Sequence, residues 1–174
     1  MDMHLAPITP DDRNQIIDLF NFYVENTFAA YPEQKVPYEF FDVIMQMCRG
    51  YPTVTARDGT GDVIGFGMLR TFSPFPAFAK TAEITYFVRA DCMGKGIGGA
   101  ILDYLVGHGK RRGLTSIVAN VSSLNKPSIN FHLKNGFSEC GRFVNVGEKK
   151  GKSFDVVYFQ KMLREDSAGD RSEA

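Results

Sequence analysis

The sequence predicts an α/β (α+β) fold, a mixed and mostly antiparallel sheet with helices on both faces, and three observations carry that expectation. Segments of strand and helix character follow one another in the order β, α, α, β, β, β, α, β, α, β, β. Two strand pairs are joined by short glycine-bearing turns, Asp58-Gly59-Thr60-Gly61 and Lys149-Lys150-Gly151, which make the paired strands antiparallel. The 174 residues, 44% of them hydrophobic, suffice for one well-buried domain and not for two ordinary ones. That domain is expected to span residues 5–163. Residues 164–174, ending in EDSAGDRSEA, are small and polar and read as a frayed tail.

Taken in order, the first strand centres on HLAPI, residues 4–8. Thr9-Pro10-Asp11-Asp12 then opens a helix, with a hydroxyl cap, a proline at the first position and acids beside the positive helix end. Ile16, Leu19, Phe20, Tyr23 and Val24 recur at helical spacing to about Asn26. A linker holding Pro32 and Pro37 leads to a second helix, YEFFDVIMQMCR. The stretch TVTARDGTGDVIGFGML, residues 53–69, is a hairpin. RTFSPFPAFAKT, residues 70–81, has two prolines and three phenylalanines without a period, so it reads as a loop. EITYFV, residues 83–88, is β-branched and aromatic, a strand.

Beyond a run of glycines, Ile97, Ile101, Leu102, Leu105 and Val106 share one helical face, and Arg111-Arg112-Gly113 closes that helix with cations and a glycine. TSIVANV is a buried strand, KPSINFHLKNG a short helix, and FSECGRFVNVG with KSFDVVYFQKML the closing antiparallel pair.

Composition excludes several classes. Lys plus Arg equals Asp plus Glu, 20 against 20, so no global field favours nucleic acid. Cys48, Cys92 and Cys140 form no CxxC or Cys/His ligand spacing, and His4, His108 and His132 are scattered, so no metal site is expected. The cysteines read as reduced thiols of a cytoplasmic protein. The start lacks a basic segment followed by an apolar one, and no apolar run approaches the ~18 residues of a membrane span.

The chemistry centres on CMGKGIGGAILDYL, residues 92–105, where Gly94, Gly96, Gly98 and Gly99 precede a helix. Glycines before a helix are most often turn residues, but four within six positions exceed a turn's needs. They let the backbone approach a guest closely, and at a helix N-terminus that guest is an anion, most often a phosphate. A nucleotide P-loop requires Gly-Lys-Ser/Thr, and here Lys95 is followed by Gly96. A dinucleotide fingerprint should leave a strand directly and meet an acid about 20 residues on; RADCM intervenes here, and TSIVANV holds no acid. The remaining reading is the pyrophosphate of coenzyme A, with the amides of the 97–110 helix pointing at it.

With its surroundings this stretch resembles the GNAT acetyltransferase superfamily, whose loop reads Gln/Arg-x-x-Gly-x-Gly/Ala. The frame here is Met93-Gly94-Lys95-Gly96-Ile97-Gly98, departing from the family at Met93. SLNKPSINFHLKNGF, residues 123–137, resembles the later family segment in which an Asn precedes a short helix ending in Gly-Phe. AEITYFV and ITPDDRNQIIDLFNFYVENTF resemble the phosphinothricin and methionine sulfoximine acetyltransferase branch. The resemblance implies acetyl-CoA as co-substrate, held by residues 93–99 and by Asn125, which is also suited to cap its helix. It implies an oxyanion donor on the backbone of Phe87 or Val88, and a homodimer. Lys95 and Arg89 are solvated charges or contacts to a coenzyme phosphate.

Attack by an amine on the thioester needs a base, since an alkylammonium of pKa near 10 is only ~0.1% neutral at pH 7. Glu83, opening an otherwise apolar strand, is the candidate base and matches the branch's glutamate; the bland alternative is a solvated strand-end acid. The resemblance makes His132 the candidate acid or proton carrier, against a packed helix histidine. Aligned on Glu83, the branch's basic substrate loop corresponds here to FSPFPAF, without Lys or Arg, although Arg70 and Lys80 flank it. Phe72, Phe75 and Phe78, with Tyr31, are therefore expected to form an aromatic substrate wall; the bland alternative is that the phenylalanines pack the loop on the core. Ping-pong chemistry through Cys92 or Cys140 is the rival route, and both read better as small buried hydrophobes. The expected activity is direct N-acetylation of a small primary amine, an amino-acid analogue or a hydrophobic amine; the alternative is a non-catalytic acyl-CoA sensor of the same fold.

Overall fold

A computed structural model describes residues 3–163; the expected tail lies outside the described residues. Strands β1 (Met3–Ala6), β2 (Thr53–Asp58), β3 (Val63–Thr71), β4 (Thr81–Val88), β5 (Ser116–Ser122), β6 (Ser138–Lys149) and β7 (Lys152–Met162) form one seven-stranded sheet. Its order is β1-β2-β3-β4-β5-β7-β6, and every neighbouring pair is antiparallel except β4 with β5. The helices are α1 (Arg13–Asn26), α2 (Phe40–Met47), α3 (Ile97–Arg111) and α4 (Lys126–Lys134). The mixed, mostly antiparallel sheet expected from the sequence is what the chain forms.

The local signals act as their chemistry dictates. Pro10–Asp12 make a short 3-10 turn ahead of α1, and the Asp12 carboxylate accepts from both the N–H and the hydroxyl of Thr9, at 2.6 and 3.1 Å. Prolines 74 and 76 leave the 72–80 segment without a ladder apart from a 3-10 turn at Pro76–Phe78.

Two apolar clusters sandwich the sheet. One gathers α3 and α4 against Ile64, Leu69, Ile84, Ile117 and Phe159; the other gathers α1 and α2 against Phe66, Met68 and Phe87. Gly67 lets α3 come close, because a Cβ there would lie 2.6 Å from Ile101. The parallel β4–β5 ladder, reached through the α3 crossover, covers only Thr81–Glu83 against Ser116–Val118. Beyond it Ile84–Val88 pair with β3 alone and Ala119–Ser122 with β7 alone, so the sheet opens into a gap.

Candidate active site

That gap is the floor of a cleft of about 740 Å³, within the range of small-molecule sites. Its walls come from the glycine loop and α3 start, the free part of β4, the end of β5, the start of α4, and α1 with its following loop. An aromatic wall of Phe20, Tyr23, Tyr31, Phe40, Phe66 and Phe87 lines it.

The glycine end is built for backbone contact. Gly94 and Gly96 have φ of +76° and +83°, the left-handed region, and Gly96 is the N-cap of α3 without a side-chain cap. The first intrahelical bond runs from the Ala100 N–H to the Gly96 carbonyl, so the amides of Ile97, Gly98 and Gly99 have no helical partner. Those three residues, with Met93, Gly94 and Gly96, line the cleft. Lys95 does not: its Nζ donates to the Asp91 carbonyl at 2.9 Å, and Arg89 pairs with the Asp91 carboxylate at 2.8 Å. Both cations are engaged within the loop.

The register of β4 decides which backbone groups face the gap. The Arg89 N–H bonds to the Ile64 carbonyl at 2.8 Å, so odd-numbered residues of β4 turn their amides to β3 and even-numbered ones turn theirs outward. The amide of Val88, not of Phe87, therefore faces the cleft. Tyr23 of α1 donates its hydroxyl to the Val88 carbonyl and fixes the end of β4.

Deeper in, Glu83 stands opposite Arg70 in the β3–β4 register, and Arg70 Nη2 donates to Glu83 Oε1 at 2.6 Å. Asn120 Nδ2 donates to the same oxygen, and the Tyr31 hydroxyl donates to Asn120 Oδ1 at 3.1 Å. Among the described residues none donates a hydrogen bond to Oε2 of Glu83. Glu83 lies just behind Arg70, Asn120 and Tyr31, which line the cleft directly. Arg70 Nε is buried and has no hydrogen-bond partner, the one such buried side-chain nitrogen or oxygen among the described residues. Burial foremost, with Tyr158 and Glu83 adding, pushes the Tyr31 phenol up to about 12.

On the α4 side His132 is 3% exposed and also lines the cleft. Its Nδ1 lies 2.7 Å from the Ser128 carbonyl, which only accepts, so Nδ1 carries the proton and Nε2 accepts from the Tyr86 hydroxyl at 2.6 Å. Burial lowers the imidazole pKa against the smaller opposing effect of the Ser128 carbonyl, and burial raises that of Tyr86 well above the ordinary phenol. Asn125 is the N-cap of α4, its Oδ1 accepting from the Ser128 N–H at 3.3 Å, and it lines the cleft as well.

The loop phenylalanines lie elsewhere. Phe72, Phe75 and Phe78 are 42%, 67% and 43% exposed and do not line the cleft; they follow the end of β3, and Phe72 lies edge-on to Phe78. Of the expected aromatic wall only Tyr31 is present, and α1, α2 and the core strands supply the remainder. Of the two cations flanking that stretch, Arg70 turns inward and Lys80 does not line the cleft. Tyr23, Tyr86 and Asn120 escaped the sequence reading. Asn120 left a signal, a lone amide in an otherwise apolar strand. Cys92 is buried in the cleft wall, with its sulfur 3.5 Å from Arg89 Nη2.

Comparison with known proteins agrees with this architecture. The profile of the acetyltransferase (GNAT) family matches residues 16–137. The L-methionine sulfoximine/L-methionine sulfone acetyltransferase of Pseudomonas aeruginosa is 34% identical over 152 residues, covering 85% of this chain and 87% of its own. A phosphinothricin acetyltransferase from Sinorhizobium meliloti, solved in complex with acetyl-CoA, superposes with a TM-score of 0.89 at 28% identity, covering 99% of this chain and 95% of that one. The ribosomal-protein-alanine N-acetyltransferase of Brucella melitensis superposes with a TM-score of 0.85 at 29% identity, covering 91% and 99%. With over half its length matched by the family profile and its fold shared with these enzymes, the chain belongs to the GNAT acetyltransferase family and is an N-acetyltransferase.

Proposed function

We propose that the protein transfers the acetyl group of acetyl-CoA directly to the primary amine of a small amino acid or amino-acid analogue. One observation carries the reading: a single cleft runs from the unpartnered amides of Ile97, Gly98 and Gly99, past the outward amide of Val88, to Arg70 and Asn120 in front of Glu83. The three helix-start amides hold the pyrophosphate, aided by the positive end of α3. Asn125, its Oδ1 spent on capping, offers Nδ2 to the pantetheine arm. The Val88 amide faces the thioester oxygen and stabilises the charge that develops there on attack.

At the other end Arg70, which lines the cleft while its Nη2 holds Glu83, meets the substrate's carboxylate with the remaining edge of its guanidinium. Glu83 takes the ammonium proton on its free Oε2, directly or through a water, while Arg70 and Asn120 hold Oε1. The neutral amine attacks the carbonyl carbon, the nitrogen of the tetrahedral adduct gives up its second proton to water, the C–S bond breaks, and the sulfur leaves as thiolate. His132, when it picks up a proton on Nε2, can pass it to the Tyr86 oxygen while the Tyr86 hydroxyl proton goes to the sulfur, which leaves both residues as they began. No step requires a metal ion.

The relatives support a small substrate through their names, which specify methionine sulfoximine and phosphinothricin, and the charged end at Arg70 suits both. We further propose a homodimer, since Phe143, Val144 and Val146 stand exposed on the edge strand β6; light scattering that returns the mass of one 19.4 kDa chain would end that proposal. The reaction is tested by following thiol release from acetyl-CoA with a panel of amino acids, their analogues, and amines without a carboxylate. Carboxylate-bearing amines are expected to be the better substrates, and preference for apolar amines would remove Arg70 from the reading.

A further inference from the structure

Lys149, at the end of β6, is 1% exposed. Its ammonium donates to three backbone carbonyls, Val24 at 2.7 Å, Thr27 at 2.9 Å and Ala30 at 2.7 Å. All three of its N–H donors are thus spent, and none goes to a carboxylate. Burying an ammonium among neutral carbonyls is costly, and the desolvation lowers its pKa, with Lys150 adding a smaller push in the same direction. Val24 lies in the last turn of α1, where carbonyls lack helical partners and the helix end is negative, so part of the compensation is a C-cap delivered from a distant strand. That role alone does not account for the third carbonyl. Ala30 is outside the helix, immediately before Tyr31.

Tyr31 is where this anchor meets the cleft. Its ring stacks on Phe154 of β7, centroids 5.9 Å apart at 11°, and its hydroxyl donates to Asn120, which in turn holds Glu83. Phe154 can occupy that place because position 147 is glycine: a Cβ there would fall 2.3 Å from the ring. The Lys150 amide adds a bond to Glu33 Oε1 at 3.1 Å, beyond Tyr31 in the chain. The tip of the β6–β7 hairpin therefore grips the α1–α2 connection on both sides of Tyr31.

We propose that Lys149 is a positioning residue for the amine end of the cleft. By gathering three carbonyls of residues 24–30 at one point, it sets Tyr31 against Asn120 and so determines how well the amine binds. The proposal rests on the reading that the amine lies at the Arg70–Glu83 end, remote from the coenzyme's amides.

The test uses Lys149→Met, which keeps length and loses all three donors, together with Tyr31→Ala and the double variant. Steady-state rates are measured with acetyl-CoA and either methionine sulfoximine or phosphinothricin, whichever the unaltered protein turns over faster. Lys149→Met and Tyr31→Ala are each expected to raise the amine KM about tenfold or more while the acetyl-CoA KM stays within about twofold. The double variant is expected to be no worse than the more severe single one, because both changes act through Tyr31. A Lys149→Met protein with a lower Tm and an unchanged amine KM would mark the lysine as merely structural and overturn the proposal, as would multiplying effects in the double variant. If Lys149→Met does not fold, Lys149→Gln, with two N–H donors and no charge, is judged by the same outcomes. Tyr31 is 43% exposed, so Tyr31→Ala folds, and an unmoved amine KM in that variant overturns the proposal by itself. Absence of turnover in the unaltered protein would overturn the reaction reading as well, which separates the two failures.

Discussion

Replacing Gly96 by valine isolates the coenzyme cradle, provided the strain it introduces is measured separately. At Gly96 the φ of +83° is one that a β-branched residue adopts only at a cost of roughly 1–2 kcal/mol. An added Cβ meets nothing within 4 Å, so no packing clash accompanies that strain. Gly61, in the β2–β3 turn, is matched: its φ is +90°, its Cβ position is equally open, and it does not line the cleft. For a chain of this size roughly 2–4 °C of Tm is lost per kcal/mol, so each variant should melt about 2–8 °C below the parent protein. Only Gly96→Val also places a side chain at the start of α3, in front of the amides of residues 97–99. Hydrogen bonds from such amides to a charged phosphate contribute about 1.5–3 kcal/mol each. Losing even one weakens binding by roughly tenfold or more, at about 1.4 kcal/mol per decade. Calorimetric titration with acetyl-CoA and thermal unfolding of both variants give the four numbers required. Equal loss of Tm with affinity lost only in Gly96→Val is the expected pattern. Undiminished affinity in folded Gly96→Val would take the glycine loop out of the coenzyme site.

Other perturbations separate the roles within the cleft. Glu83→Gln keeps the shape and loses the base, so kcat/KM should fall by roughly 100- to 10,000-fold, with calorimetric acetyl-CoA affinity unchanged and the acidic limb of the pH–rate profile flattened. Rates near the parent's across pH would mean that the amine arrives already neutral. Arg70→Gln should raise KM by about tenfold or more for amines bearing a carboxylate and much less for those without one; a uniform loss would show that Arg70 serves only to hold Glu83. His132 supplies a stability test. Its folded pKa lies below the unfolded value of about 6.5, so its neutral, buried contribution is complete above that pH and is lost as pH falls from there through the folded value. The denaturant-derived unfolding free energy should thus decline more steeply below about pH 6.5 in the parent than in His132→Gln, by at most about 1.4 kcal/mol per pH unit. Parallel curves would contradict a buried neutral imidazole.

What could be read in advance follows the range of the forces concerned. Thr9-Pro10, Gly96, Gly113 and Gly136 punctuate the chain through local backbone chemistry, and α1, α3 and α4 fall where those residues require. The order of strands in the sheet is not local, and neither is the parting of β4 from β5 after Glu83, which depends on where α3 returns the chain. Glu83 is legible as an acid opening an apolar strand, and His132 only through the family segment it falls in. Their partners are not: Arg70 and Tyr86 come from register and packing, and Tyr23 crosses from α1 to the end of β4. The phenylalanines of FSPFPAF stand outside the cleft, because which way a loop without a periodic pattern faces is set by packing and not by its aromatic content. Lys149, read as a turn cation, proved to be the least exposed charged side chain on the described hairpin, because a loop more than a hundred residues earlier closes over it.

The central claim is acetyl transfer from acetyl-CoA to a small amine that carries a carboxylate. Its most direct test is mass spectrometry of the products after incubating the purified protein with acetyl-CoA and a mixture of free amino acids, methionine sulfoximine, phosphinothricin, carboxylate-free amines and an alanine-ended peptide. The expected result is a gain of about 42 Da, the mass of an acetyl group less the hydrogen it replaces, on the nitrogen of carboxylate-bearing small molecules, with matching release of CoA thiol and loss of both in Glu83→Gln. Acetylation confined to the peptide, or acetyl-CoA binding without any acetylated product, would contradict it.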